Sequence, residues 1–240
     1  MAQKIALVTG GSTGIGAQVV RQLTAKGARV AVCDVNAKSG ESLAAEVGGV
    51  FIPCDVTQLS SVTSAVNTCE QQLGVPDLVH LNAGIMVVRT GDPFLKIEDV
   101  SLEQYRRIVG VNLDGVFFGV KVLLPKMRQK GGALTITASI AGLGVLPIDP
   151  LYAATKYALI GFGRSIAAAN EGTNVKINLI CPGVVDTGIV PDAFKRPDIM
   201  APEVMAAEVV DLLLNAPNGE IRVRLAQKPA FAVYPQDLNA

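Results

Sequence analysis

The chain has 240 residues, half of them hydrophobic, 18% charged and 5% aromatic, with a formal net charge of +0. That composition supplies one large core and excludes an intrinsically disordered chain. Twenty-one basic residues balance twenty-one acidic ones, so neither nucleic acid nor a membrane surface is expected as a partner. The opening residues 1–8 lack the charged-then-apolar pattern of a signal peptide. No uninterrupted apolar run approaches the ~18 residues of a membrane span. Cys33, Cys54, Cys69 and Cys181 are scattered without a Cys-x-x-Cys pair, so no metal site or disulfide framework is expected. Buried thiols in a reducing compartment, and so a cytoplasmic location, are the expectation.

Short β-branched runs alternate with longer amphipathic stretches along the whole chain. Strands are predicted at 4–9, 29–34, 50–54, 77–82, 133–138, 175–181 and 220–224. Helices are predicted at 14–26, 37–47, 59–73, 102–130, 151–170 and 202–215, the long one broken near Gly110. The strands are nearly continuous apolar runs, such as Ile5-Ala-Leu-Val8, which is the pattern of strands buried on both faces. The prediction is an α/β fold: a doubly wound, mostly parallel sheet of about seven strands with helices on both faces. No polar linker divides the chain, so residues 1–240 form one predicted domain. The irregular stretches 85–101 and 183–201 both follow strands. Ligands of open parallel sheets bind beyond the carboxyl ends of strands, so these loops are the first candidates for a site, the second as a substrate loop.

The first strand runs into Thr9-Gly10-Gly11-Ser12-Thr13-Gly14-Ile15-Gly16, which opens the first helix. Glycines there allow a tight turn and close approach of backbone to a pyrophosphate. Free N–H groups and the positive end of the helix dipole then face the anion. Gly10, Ser12, Thr13, Gly14, Ile15 and Gly16 are the candidate contacts. Asp34 ends the second strand, where a carboxylate can accept hydrogen bonds from both adenosine ribose hydroxyls and repel a 2′-phosphate. The expected cofactor is therefore NAD, with Lys38 the one nearby cation.

Tyr152 and Lys156 are four residues apart and share one face of a helix. An ammonium near a phenol favours its ionised form and lowers its pKa, which suits a general base. Ser139, just past a strand end, can hold a substrate oxygen. His80, the single histidine, falls inside a strand and reads as a hydrogen-bonded core residue.

The segments Thr9–Gly16, Asp55-Val56, Asn82-Ala83-Gly84, Asn112, Ser139, Tyr152-Ala-Ala-Thr-Lys156, Pro182-Gly183 and Thr187 resemble, in order, the short-chain dehydrogenase/reductase family. The resemblance covers about residues 4–214. It implies Tyr152 as acid/base, Ser139 as substrate orienter and Lys156 on the nicotinamide ribose. It implies that Asn112 holds a water of a proton relay. It also implies cofactor contacts at Asp55 and Val56 (adenine), at Asn82 and Gly84, and at Pro182, Val185 and Thr187 (carboxamide). Asp55 could instead cap the helix after it, and Asn112 could be a helix-kink residue. The ending departs from many relatives, which leaves the packing of the tail 225–240 open.

The expected activity is NAD-dependent hydride transfer on a small hydrophobic secondary alcohol or ketone. The alternative is an NAD-binding sensor or scaffold of the same fold. The predicted pocket walls are Met86, Val88, Leu143, Leu146, Ile148, Ile189, Val190 and Phe194. Arg89, Lys195 and Arg196 are the cations placed to reach it. The 116–124 stretch is apolar around almost its whole circumference, and the helix from 151 is also apolar. A homo-oligomer paired through these helices, a tetramer, is expected.

Overall fold

The computed structural model describes residues 3–191, 194–195 and 198–234. Its centre is one eight-stranded sheet in the order β3-β2-β1-β4-β5-β6-β7-β8. The strands are β1 (Ile5–Thr9), β2 (Arg29–Asp34), β3 (Val50–Pro53), β4 (Leu78–Leu81), β5 (Gly132–Thr137), β6 (Val175–Pro182), β7 (Ile221–Arg224) and β8 (Phe231–Ala232). The first seven run parallel. The two-residue β8 lies antiparallel on β7 and was not expected. It is half exposed and flanked by Pro229 and Tyr234, so it carries no apolar alternation to announce it.

The helices are α1 (Gly14–Ala25), α2 (Ala37–Val47), α3 (Leu59–Gln72), α4 (Leu102–Val109), α5 (Gly115–Lys130), α6 (Pro150–Ala169) and α7 (Pro202–Leu214). Each strand side chain points to the opposite face from its neighbour, so β1 feeds two cores. Leu7 joins Ile136, Leu179, Leu123, Met127 and Leu159 under α3, α5 and α6. Ala6 and Val8 join Ile180, Leu23, Val209 and Leu212 under α1, α2 and α7. This double burial is why the strands are apolar on both faces.

The predicted break in the long helix is a π-helical turn, Gly110–Asp114, between α4 and α5. Such a turn widens the helix by one residue and re-aims the side chains it carries. By length and composition, Leu102–Lys130 is the one helical stretch among the described residues that could cross a membrane, with half of its most apolar window buried. In this fold Val116, Val120, Leu123, Leu124 and Met127 spend its apolar face on the sheet.

The strand order reverses between β1 and β4, with β2 and β3 on one side and β5 to β8 on the other. A crevice forms beyond the carboxyl ends of the strands at such a switch point.

Candidate active site

A cavity of about 530 Å³ opens at this switch point. Gly10, Thr13, Gly14 and Ile15 line one end of it. Gly10 has a φ of 59°, and a Cβ there would lie 2.8 Å from the Cα of Ala83. A Cβ on Gly16 would lie 2.1 Å from the carbonyl oxygen of Gly10. Gly16 therefore lets α1 start against the turn and does not itself line the cavity. The Thr13 side chain makes no capping bond at the start of α1.

Ser12 differs from expectation. It is buried and does not line the cavity. Its hydroxyl donates to Asp34 Oδ2 at 2.6 Å and its N–H to the same oxygen at 3.0 Å. Asp34 Oδ1 accepts from the Asn36 N–H at 3.0 Å. Ser12 thus aims the Asp34 carboxylate, which does line the cavity. Lys38 is exposed and is not part of the lining.

Asp55, Val56, Asn82 and Gly84 line the middle of the cavity. Asp55 Oδ1 accepts from the N–H and hydroxyl of Thr57 at 2.9 and 2.8 Å. That closes a turn ahead of α3, whose own N-cap residue is Gln58. Asn82 donates from Nδ2 to the Gly10 carbonyl at 3.1 Å, and its N–H donates to Thr9 Oγ1 at 3.0 Å. These bonds stitch the ends of β1 and β4 together below the turn.

Ser139, Tyr152 and Lys156 meet at the far end of the cavity. The Ser139 hydroxyl oxygen accepts from the Ala141 N–H at 3.1 Å. Lys156 is almost fully buried and donates from Nζ to the Thr137 carbonyl at 2.9 Å. Its ammonium lies 5.5 Å from the centre of the Tyr152 ring. Burial pulls the Lys156 pKa down to about 8. Burial also pushes the Tyr152 phenol up to about 12, with Asp149 adding to the rise and the Ser139 hydroxyl opposing it. The net shift at Tyr152 is thus opposite to the lowering expected from the spacing of Lys156: desolvation of the phenolate dominates, and the influence that opposes it is the Ser139 hydroxyl.

Asn112 lies on the π-helical turn, fully buried and outside the cavity lining. Its Oδ1 accepts from the Ile85 N–H at 2.8 Å. Its Nδ2 donates to the Ile85 carbonyl at 2.9 Å and to Thr155 Oγ1 at 3.1 Å. Thr155 in turn donates to the Tyr152 carbonyl at 2.8 Å. The amide pairs with the loop after β4 and with α6, not with groups freed by the helix break.

Pro182, Val185 and Thr187 follow β6 into the cavity wall. Of the predicted apolar walls, Met86, Val88, Ile189 and Val190 line it. Leu143, Leu146, Ile148 and Phe194 do not. Leu143 turns back onto the core beneath α6. Leu146 and Ile148 are half-buried beyond the lining. Phe194 packs edge-on against Phe94, ring centres 6.3 Å apart. That contact, together with a hydrogen bond from the Thr90 hydroxyl to the Gly188 carbonyl, clasps the two loops that border the cavity. Arg89 is exposed at the rim, Lys195 lies outside the lining, and Arg196 falls outside the described residues.

The sequence reading missed Asp149. It is buried, accepts the Tyr152 N–H at Oδ1 (2.9 Å) and accepts the Val87 N–H at Oδ2 (2.9 Å). The Asp149-Pro150 pair, an N-cap followed by proline in the first turn, was the available signal. Arg107 was also missed. Its guanidinium donates to the Val87 carbonyl at 2.7 Å and so holds the same loop. His80 stands as expected in the core, with burial holding its pKa down to about 3.

The short chain dehydrogenase family model matches residues 4–198. A 3-alpha-(or 20-beta)-hydroxysteroid dehydrogenase of Mycobacterium bovis is 36% identical over 187 residues, covering 77% of this chain and 70% of that protein. A mitochondrial borneol dehydrogenase of Lavandula x intermedia is 33% identical over 193 residues, covering 79% and 72%. Among solved structures, levodione reductase superposes with a TM-score of 0.83 at 26% identity, covering 92% of this chain and 95% of that one. With that match and the order of its cofactor turn, Ser139, Tyr152 and Lys156, the chain belongs to the short-chain dehydrogenase/reductase family of nicotinamide-dependent oxidoreductases.

Proposed function

We propose that this oxidoreductase moves a hydride between NAD and a hydrophobic secondary alcohol or its ketone, with Tyr152 as the acid/base. The observation that carries the reading is the single cavity that joins Asp34 and the glycine turn to Ser139, Tyr152 and Lys156. The residues fit a dinucleotide: the left-handed Gly10 admits backbone approach, and the Asp34 carboxylate is aimed in advance by Ser12. Gly10, Thr13, Gly14 and Ile15 would hold the phosphates, and Asp34 the adenosine ribose. Asp55 and Val56 would flank the adenine. Lys156 would hold the nicotinamide ribose, and Pro182, Val185 and Thr187 the carboxamide. Bound nicotinamide supplies the hydride acceptor or donor as the substrate carbon changes between alcohol and ketone. Tyr152 gives its hydroxyl proton to the ketone oxygen, or takes it from the alcohol. The Ser139 oxygen accepts from Ala141, and its hydroxyl, which meets the Tyr152 phenol, would hold the substrate oxygen beside it.

Met86, Val88, Ile189 and Val190 favour an apolar substrate, at roughly 25 cal/mol per Å² of surface buried. A hydroxysteroid and borneol, which the names of two relatives carry, are alicyclic alcohols of this kind. The test follows NADH absorbance with matched neutral and carboxylate-bearing secondary alcohols. The neutral set should give the higher kcat/KM. A clear preference for carboxylates would overturn the apolar reading and point to Arg89. No turnover across the panel, with NAD still bound, would favour a sensor or scaffold.

The cofactor reading makes its own prediction. NAD should bind at least tenfold tighter than NADP, about 1.4 kcal/mol. Asp34→Ala should narrow that gap in calorimetric titrations, because the ribose hydrogen bonds and the repulsion of a 2′-phosphate go together. Equal affinities in the unaltered protein would defeat the NAD assignment.

The four cysteines are free and buried, which supports a cytoplasmic setting. A homotetramer is also proposed. Phe117 on α5 and Tyr157 on α6 are 45% and 47% exposed, and Phe117 packs edge-on against Phe162. Those rings form an apolar face shared by the two helices. Phe117→Glu should convert the assembly to smaller species in light scattering at micromolar concentration. A monomeric mass for the unaltered protein would contradict the assignment.

A further inference from the structure

His80 is fully buried on β4, outside the cavity lining, and the reaction proposed above does not use it. Its Nδ1 lies 2.8 Å from Thr135 Oγ1 and its Nε2 lies 3.3 Å from Thr137 Oγ1. Thr137 Oγ1 is also 3.2 Å from Asn82 Oδ1. Asn82 donates from Nδ2 to the Gly10 carbonyl at 3.1 Å. The carbonyl of Thr137 accepts from Lys156 Nζ. A line of polar groups therefore runs from His80 in the core to Thr137 and Asn82 in the lining of the cofactor cavity.

Proton counting gives this line a direction. Suppose the proton sits on Nδ1, which then donates to Thr135. The single Thr137 proton must then serve both His80 Nε2 and Asn82 Oδ1: given to Asn82 it leaves the fully buried Nε2 bare, and given to Nε2 it breaks the link from Thr137 to Asn82. Suppose instead it sits on Nε2. Thr135 then donates to Nδ1, Nε2–H donates to Thr137, Thr137 donates to Asn82, and Asn82 donates to Gly10. Every acceptor in that line then has a donor, the shortest contact, 2.8 Å, is a hydroxyl-to-nitrogen bond, and only the long 3.4 Å approach of the Thr135 hydroxyl to the Val79 carbonyl is given up.

We propose that His80 is a positioning residue, whose Nε2–H orients a hydrogen-bond chain through Thr137 and Asn82 to the Gly10 carbonyl. By occupying one side of the Thr137 hydroxyl, it keeps the Asn82 amide turned with Nδ2 toward Gly10. The phosphate-binding turn then holds its left-handed form, and the Thr137 carbonyl stays under Lys156. The proposal rests on the reading that this cavity binds NAD.

The chain has a single histidine, so the ring of untagged protein gives one unambiguous signal. Nitrogen–proton NMR of histidine-labelled protein at neutral pH should show the proton on Nε2. His80→Val removes both ring bonds while keeping a β-branched strand residue. It should weaken NAD binding about fivefold and lower kcat, with little change in KM for the alcohol. His80→Gln can accept from Thr135 and donate to Thr137, and should restore NAD affinity to within about twofold of the unaltered protein. A role in packing alone would lower thermal stability in both variants and leave NAD affinity where it was. The proposal falls if the proton sits on Nδ1, if His80→Val binds NAD as the unaltered protein does, or if His80→Gln is as impaired as His80→Val. If the variants do not fold, the ring tautomer of the unaltered protein decides alone. If the unaltered protein binds no NAD, the functional reading fails separately, and the tautomer still decides the chain.

Discussion

Tyr152→Phe should lower kcat about a thousandfold or more while NAD affinity stays within about twofold. The substitution removes one oxygen and nothing else from the ring, so the packing of the loop after β4 on Tyr152 is kept. What is lost is the α6 hydroxyl that meets Ser139 beside Lys156 in the cavity lining. Lys156→Ala should behave differently. It removes the ammonium that Thr137 holds in the lining, so both NAD affinity and rate should fall. The contrast between the two variants separates proton transfer from cofactor positioning. The pH dependence follows from the phenol, pushed up to about 12 by burial. Near neutrality it is protonated, ready to give its proton to a ketone oxygen. Alcohol oxidation needs the phenolate and should quicken as pH rises through the alkaline range. Ketone reduction should show no such rise. Steady-state rates in both directions, NAD titration by calorimetry and NADH titration by its own fluorescence check these expectations. A Tyr152→Phe enzyme turning over at near-normal speed would require another acid/base.

The alternation of elements was legible because burial on both faces leaves its mark in every strand. β2 and α2 fall on their predicted residues, and the other predicted elements shift by about a residue at their ends, while β8 was not predicted. The Tyr152–Lys156 pair was legible because helical spacing alone puts both on one face. The walls of the cavity were less so. Leu143 and Met86 look alike in sequence, yet Leu143 turns to the core and Met86 to the cavity. Side-chain direction in a loop depends on the loop's path, which no periodicity encodes. Ser12 and Asp34 were each marked as cofactor contacts, but that one aims the other depends on the pairing of β1 with β2. The pKa balance at Tyr152 was misjudged for a related reason. Spacing reveals a neighbouring charge, whereas the cost of burying the phenolate depends on everything packed around it.

Asp149→Ala should cost about 3 kcal/mol of stability, the largest effect expected from a residue outside the catalytic group. The carboxylate caps α6 through the Tyr152 N–H, and loss of such a cap costs roughly 1 kcal/mol. Its other oxygen accepts the Val87 N–H inside the fold. Alanine would leave that donor without a partner, at roughly 1–3 kcal/mol. Denaturant unfolding measures the sum, and a change below about 0.5 kcal/mol would refute the role. Function should suffer with it, because Asp149 ties Val87 to Tyr152 and so fixes where Val88 and Met86 stand relative to the reacting hydroxyl. KM for the alcohol should rise more than NAD affinity falls. Asp149→Asn keeps one acceptor oxygen and about the same volume, so it can keep the cap on α6 but turns its NH2 toward the Val87 N–H, and should lose roughly the 1–3 kcal/mol of that second bond. It also removes a negative charge that helps hold the Tyr152 phenol high. The phenol's pKa should therefore fall, and the alkaline rise of the oxidation rate should move to lower pH. Both variants remove the charge, whereas only Asp149→Ala also removes the cap, so a pH shift shared by the two, with the larger loss of stability in Asp149→Ala, separates the electrostatic part of Asp149 from its part in capping α6.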